Sequence, residues 1–168
     1  MRGWKIPVAA AALLACFATG APAIEVGKPA VPFTLTNPVT QMEVSLPAAL
    51  EKNPALIVFF NTSCAACEAE LVAAKNYLHN NPNAFKLFAI AIDSTSDARA
   101  RVSKFIEDKG LGVAIVLLDP KFEVAEKYGF NFTPAAVGID KEGKVKFVVN
   151  GFSRTESKVF TGNLESLK

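Results

Sequence analysis

The stretch Leu56-Ile57-Val58-Phe59-Phe60-Asn61-Thr62-Ser63-Cys64-Ala65-Ala66-Cys67-Glu68-Ala69-Glu70-Leu71 decides the fold. It opens with an unbroken apolar run, the pattern of a strand covered on both faces. It closes on Ala, Glu and Leu, which favour helix. Two cysteines three positions apart sit at the junction. The first sulfur lies at a helix N-terminus, where unpaired N–H groups and the helix dipole favour a thiolate. The second lies about one helical turn on, close enough to close a disulfide with the first. Ser63 is a favoured residue type for capping that helix. Ala65 and Ala66 bring neither charge nor ring, so the helix terminus is the main local source of thiolate stabilisation. A dithiol at such a junction points to redox chemistry.

Upstream, residues 33–36 and 42–46 alternate in polarity around the turn signal Asn37-Pro38 and predict an N-terminal hairpin. Residues 47–52 predict a short helical turn, ended by Asn53-Pro54. The apolar run occupies residues 55–60. The following helix is expected over 64–79, with Cys67, Leu71, Ala74 and Leu78 on its inner face. Downstream, residues 85–92 read as a second buried strand, 93–96 as a loop and 97–109 as a helix. Residues 113–118 read as an edge or inserted strand, and 120–128 as a short helix with Pro at its start. Residues 135–139 and 145–149 are strands joined by the turn Asp140-Lys141-Glu142-Gly143. A last helix is expected over 154–167. Alternation of strand and helix implies parallel strands with right-handed crossovers. The closing hairpin adds antiparallel strands, which makes a mixed central sheet with helices on both faces.

The first 23 residues read as an export signal: Arg2 and Lys5, an apolar stretch over 6–17, then Ala21-Pro22-Ala23. The apolar stretch is shorter than the roughly 20 residues a membrane span needs. Leu13-Leu14-Ala15-Cys16 supports a second reading, a lipoprotein signal over 1–15 with a lipid anchor at Cys16. Either leaves one domain over 24–168, with room for a real core. The chain carries 18 Lys and Arg against 16 Asp and Glu. The leader takes Arg2 and Lys5 with it, so the remainder is near neutral, and no basic cluster suggests a nucleic-acid partner. Cys64 and Cys67 are then the only cysteines. Closing so small a loop removes little entropy from the unfolded chain, so a structural staple explains the spacing poorly. A structural zinc site wants four ligands, and the chain offers two thiols and His79. No metal or other cofactor is expected.

With these residues in place the chain resembles thioredoxin-fold proteins, and among them the exported TlpA/ResA-type thiol–disulfide oxidoreductases. The resemblance covers almost all of residues 24–168. It rests on Val26-Gly27-Lys28-Pro29-Ala30-Val31-Pro32-Phe33-Thr34-Leu35, on residues 57–67, on Leu118-Asp119-Pro120 and Tyr128-Gly129-Phe130, and on Phe132-Thr133-Pro134 with Gly138-Ile139-Asp140-Lys141-Glu142-Gly143. It implies an α/β thioredoxin-like fold with an N-terminal β-hairpin and a central βα insertion. The chain departs from the family where its dithiol is tuned. Ser63 stands where Trp is usual, Ala65-Ala66 where Gly-Pro or Glu-Pro is common, Val72 where a Pro kinks the helix, and Val58 where classical thioredoxins bury an Asp.

What the resemblance implies is thiol–disulfide exchange in the periplasm, with Cys64 as nucleophile and Cys67 as resolving thiol. Glu70, three residues after Cys67, borders the inner face of the helix, and the family often carries a proton-handling Glu there. Thr133-Pro134 is expected as a cis peptide beside Cys64, its backbone pairing with an extended partner segment, while Ser63, Ala65 and Ala66 form the rest of the contact surface. Partner proteins with thiols or disulfides and a membrane-bound electron donor are implied, cytochrome c maturation being one such pathway. Two other functions share the fold. A peroxiredoxin wants Thr three residues before its Cys and Pro four residues before that, where this chain has Asn61 and Ile57. A copper carrier wants a third soft or imidazole ligand, for which only His79 is available.

Overall fold

The computed structural model describes residues 24–153 and 157–168. The leader, Cys16 and the expected start of the last helix at Arg154 lie outside the described residues. The elements run β1 (Thr34–Thr36), β2 (Glu43–Ser45), α1 (Leu46–Leu50), β3 (Ala55–Phe60), α2 (Ala65–Asn80), β4 (Lys86–Ala91), α3 (Ala98–Asp108), β5 (Ile115–Leu118), α4 (Glu123–Lys127), β6 (Ala135–Ile139), β7 (Val145–Asn150) and α5 (Ser157–Glu165). Seven strands form one sheet in the order β2-β1-β5-β4-β3-β6-β7.

β3 lies inside this sheet, parallel to β4 and antiparallel to β6, and every one of its residues is buried. Successive strand side chains point to opposite faces. Leu56, Val58 and Phe60 therefore join one core with α2, α3 and α5. Ala55, Ile57 and Phe59 join the other with Leu46, Val124, Ala125 and Tyr128. The crossovers β3–α2–β4 and β4–α3–β5 step the same way across the sheet and share a face, as right-handed connections require. The return to β6 puts α4 on the opposite face.

Cys67, Leu71, Ala74 and Leu78 are buried on α2 as their spacing predicts, and Glu70 and Tyr77 are buried with them. Burying a side chain such as Leu71 contributes about 1.5–3 kcal/mol. The helix stops at Asn81, whose backbone N–H and side-chain amide both donate to the Tyr77 carbonyl. The β6–β7 turn needs Gly143, at φ +78°, and is held by Asp140 Oδ1, which accepts from the N–H groups of Glu142 and Lys144. Gly138 is required for another reason: a Cβ there would enter the ring of Phe147 on the neighbouring strand.

One expectation narrows and one changes. Of the two readings of residues 113–118, the inserted strand holds and the edge strand does not: β5 lies between β4 and β1, because the N-terminal hairpin adds outside it. The edges are β2 and β7. The helix expected from Pro120 begins only at Glu123. Phe122 is left-handed at φ +62°, and Asp119 Oδ2 accepts from the N–H groups of Val124 and Ala125, which fixes the first turn three residues later.

Tyr128 shows how the second core anchors the N-terminal segment. Its ring packs against Phe33 and Phe59, and its hydroxyl donates to the Val31 carbonyl at 2.7 Å. Burial holds this phenol well above the ordinary tyrosine range. Tyr128→Phe is expected to cost about 1–2 kcal/mol, since it strands the Val31 carbonyl. A urea denaturation midpoint unchanged from wild type would contradict this.

Candidate active site

Strand register assembles the site. Phe60 pairs with Ala91 on parallel β4, so the residues after each strand leave the sheet side by side: Asn61-Thr62-Ser63 from β3 and Ile92-Asp93 from β4. Phe59 pairs with Ala135 at the start of antiparallel β6. Thr133-Pro134 therefore falls beside the end of β3, where the chain departs for Cys64. Ligand sites of open α/β sheets collect at this carboxyl rim of the parallel strands.

Cys64 and Cys67 form a disulfide with their Cα atoms 5.2 Å apart. Cys67 is fully buried, while Cys64 is partly exposed. Cys64 itself is the N-cap of α2, with extended backbone, and its Sγ accepts from the Cys67 N–H at 3.1 Å. The cap expected at Ser63 is thus displaced by one residue. Ser63 is occupied elsewhere: its N–H donates to Asn61 Oδ1, and its Oγ accepts from Arg101 at 2.9 Å. Ala65 is exposed and Ala66 half-buried, so methyl groups flank the accessible sulfur.

The Thr133–Pro134 bond is cis. Pro134 is buried, Thr133 half-buried and the preceding Phe132 47 % exposed. Glu70 is fully buried one turn beyond Cys67. His79 is exposed at the far end of α2, about 18 Å along the helix from Cys67 at 1.5 Å per residue. Among the described residues no three His, Cys, Asp or Glu side chains gather as a metal site.

The structure adds two residues that the sequence reading passed over. Asp93, read only as loop, is 2 % exposed. Its Oδ2 accepts from the Thr62 N–H at 3.0 Å and its Oδ1 from the Thr62 hydroxyl. Arg101 on α3 donates to Thr62 Oγ1 at 2.8 Å and to Ser63 Oγ, and lies 3.5 Å from Asp93 Oδ1. An acidic residue directly after an apolar parallel strand was the available signal for Asp93. Nothing in the local sequence marks Arg101. In the first turn of α2, Glu68 pairs with Lys109 at 2.7 Å.

Comparison with known proteins fits this arrangement. A family described as AhpC/TSA matches residues 26–148. The thiol-disulfide oxidoreductase ResA of Geobacillus thermodenitrificans is 31 % identical over 111 residues, covering 66 % of this chain and 60 % of that protein. This chain therefore spans less than two thirds of that relative. A Chlorobium tepidum structure assigned as the thiol:disulfide interchange protein DsbE superposes with a TM-score of 0.76 at 19 % identity, covering 86 % of this chain and 99 % of the other. A secreted Mycobacterium tuberculosis disulfide oxidoreductase, homologous to E. coli DsbE, does so at 0.67 and 21 % identity, covering 80 % and 96 %. At such identities the structural likeness speaks for the fold, which is thioredoxin-like.

Proposed function

This chain belongs to the AhpC/TSA family, and on that premise we propose that it is an exported thiol–disulfide oxidoreductase that reduces disulfides of partner proteins through Cys64 and Cys67. The observation that carries the reading is the asymmetry of the pair: Cys64 is partly exposed at a helix N-terminus, and Cys67 is fully buried. The Cys64 thiolate attacks one sulfur of the partner disulfide. A mixed disulfide forms and the partner's other sulfur leaves as a thiolate, which takes up a proton. Cys67 loses its proton, with Glu70 as the nearby carboxyl to receive it, and attacks Cys64 Sγ. The partner's second thiolate leaves, and two electrons have passed from the dithiol to the partner. A dithiol donor returns them; a membrane-bound one is implied by the family resemblance. Thr133-Pro134, Ser63, Ala65 and Ala66 supply the docking surface for an extended partner segment.

Residues 1–23 would carry the chain to the periplasm, with Cys16 lipidation as the anchored alternative, and residues 24–168 would be the working domain. No helix among the described residues is long and apolar enough to cross a membrane. Cytochrome c maturation is one pathway such a reductase would serve.

The deciding experiment equilibrates the reduced protein with glutathione buffers. The expected result is reversible exchange with a potential nearer the thioredoxin value of about −270 mV than the strongly oxidising value of about −120 mV. No exchange, with rapid peroxide consumption instead, would overturn the proposal in favour of a peroxidase. Glu70→Gln is expected to slow exchange several-fold at neutral pH and to shift the thiol titration. Unchanged titration and rates would remove Glu70 from the mechanism.

A further inference from the structure

The dithiol motif carries no charged residue between its cysteines, yet a fixed charge pair stands directly before it. Asp93 is buried at the end of β4 and bonded to both the N–H and hydroxyl of Thr62. Arg101 reaches from α3, past Thr62, to Ser63, the residue preceding Cys64. Arg101 is thus bonded to the residue next to Cys64, whereas Asp93 bonds Thr62, two residues before it. The Arg101 side chain is also partly open to solvent, 37 % exposed, beside a cleft of about 210 Å³ lined by Thr62, Lys104, Phe105 and Asp108.

We propose that Arg101 and Asp93 are a thiol-tuning pair outside the Cys-x-x-Cys motif: Arg101 favours the Cys64 thiolate and positions its loop, and Asp93 opposes that bias while holding Arg101 in place. The inference rests on Cys64 acting as the nucleophile. A cation within one residue of a thiol stabilises its charged form, and a buried carboxylate destabilises it. On α3, Lys104 and Asp108 pair with each other beside the same cleft, and Asp97 interacts with Arg101 from the helix start. On α2, Glu68 is paired with Lys109, and Glu70 is buried one turn beyond Cys67. The Phe132-Thr133-Pro134 loop, which leads into β6 beside the end of β3, brings no charge.

The pair makes a prediction that a purely structural role does not. Removing either partner breaks the same clamp, so structural loss alone would move Cys64 reactivity in one direction for both variants. Electrostatic tuning moves it in opposite directions. The experiment measures iodoacetamide alkylation of Cys64 against pH in the reduced full chain. Arg101→Gln is expected to raise the thiol pKa and slow alkylation at neutral pH by about tenfold. Asp93→Asn is expected to lower the pKa and speed it several-fold. Arg101→Lys, which keeps the charge but loses the planar guanidinium that reaches Thr62 and Ser63, should fall between wild type and Arg101→Gln. In equilibria with glutathione, a tenfold loss of thiolate stabilisation makes the Arg101→Gln disulfide harder to reduce by about 30 mV. Shifts of the same sign in both variants, or no shift in either, would overturn the proposal. Should Arg101→Gln fail to fold, Asp93→Asn decides alone, since a raised or unchanged pKa is incompatible with it. Alkylation needs no protein partner, so wild-type protein that fails to exchange with glutathione would count against the reductase reading and leave this test intact.

Discussion

Cys67→Ser is expected to turn the protein from a catalyst into a trap. Reduced Cys67→Ser, mixed with a disulfide-bonded peptide, should accumulate a one-to-one mixed disulfide on Cys64 and release little product. Turnover should fall by roughly three orders of magnitude, while the first attack persists at close to the wild-type rate. Cys64→Ser should form no adduct, because the remaining thiol is fully buried. Mass spectrometry of non-reduced samples reads both outcomes. Equal adduct yields from the two variants would mean that the sulfurs are equally accessible, and would remove the asymmetry on which the proposed mechanism rests.

Phe59→Ala is expected to have the largest effect on stability. The ring is fully buried and packs at 5.5 Å from the Tyr128 ring and 5.4 Å from that of Phe130. Truncation removes its buried surface and leaves a cavity against residues fixed by other contacts, at a cost of about 3–5 kcal/mol. A domain of this kind has about 5–15 kcal/mol in total, so the variant should unfold at much lower urea concentration. Phe59 also pairs with Ala135, which sets Pro134 beside the end of β3. Protein that still folds should therefore lose exchange activity as well. A stability loss below about 1 kcal/mol would show that the second core closes over the gap.

β3, α2 and the closing hairpin were legible in the sequence because each carries its own local signal: an unbroken apolar run, helical spacing of buried residues, and a turn whose glycine is obligatory. Cys64 and Cys67 were legible for the same reason, whereas the cis bond at Thr133-Pro134 has no local signal, since a proline at a strand start reads as trans, and was expected only from the family resemblance. What a strand pairs with has no such local signature. β5 reads as a strand, but its place between β4 and β1 depends on a hairpin some eighty residues earlier. The capping error has a different source. Serine is the better intrinsic N-cap, but Ser63 is held by Arg101 and the Cys64 sulfur accepts from the Cys67 N–H instead. Asp93 and Arg101 escaped notice because their meaning lies in register. Only the Phe60–Ala91 pairing brings Asp93 against Thr62.

The segments that meet at Cys64 come from β3, β4, α3 and the start of β6, and the β3–β6 pairing joins distant parts of the chain. Long-range pairings form slowly compared with helices. Until they form, Ser63 lacks its bond from Arg101 and Cys64 has no docked helix terminus beneath it, which leaves an ordinary thiol with a pKa of about 8.5. Reactivity is thus a property of the finished sheet rather than of the motif. A newly made chain would pass through its period of exposure with slow-reacting cysteines, and the appearance of a fast-reacting Cys64 would report the completion of folding.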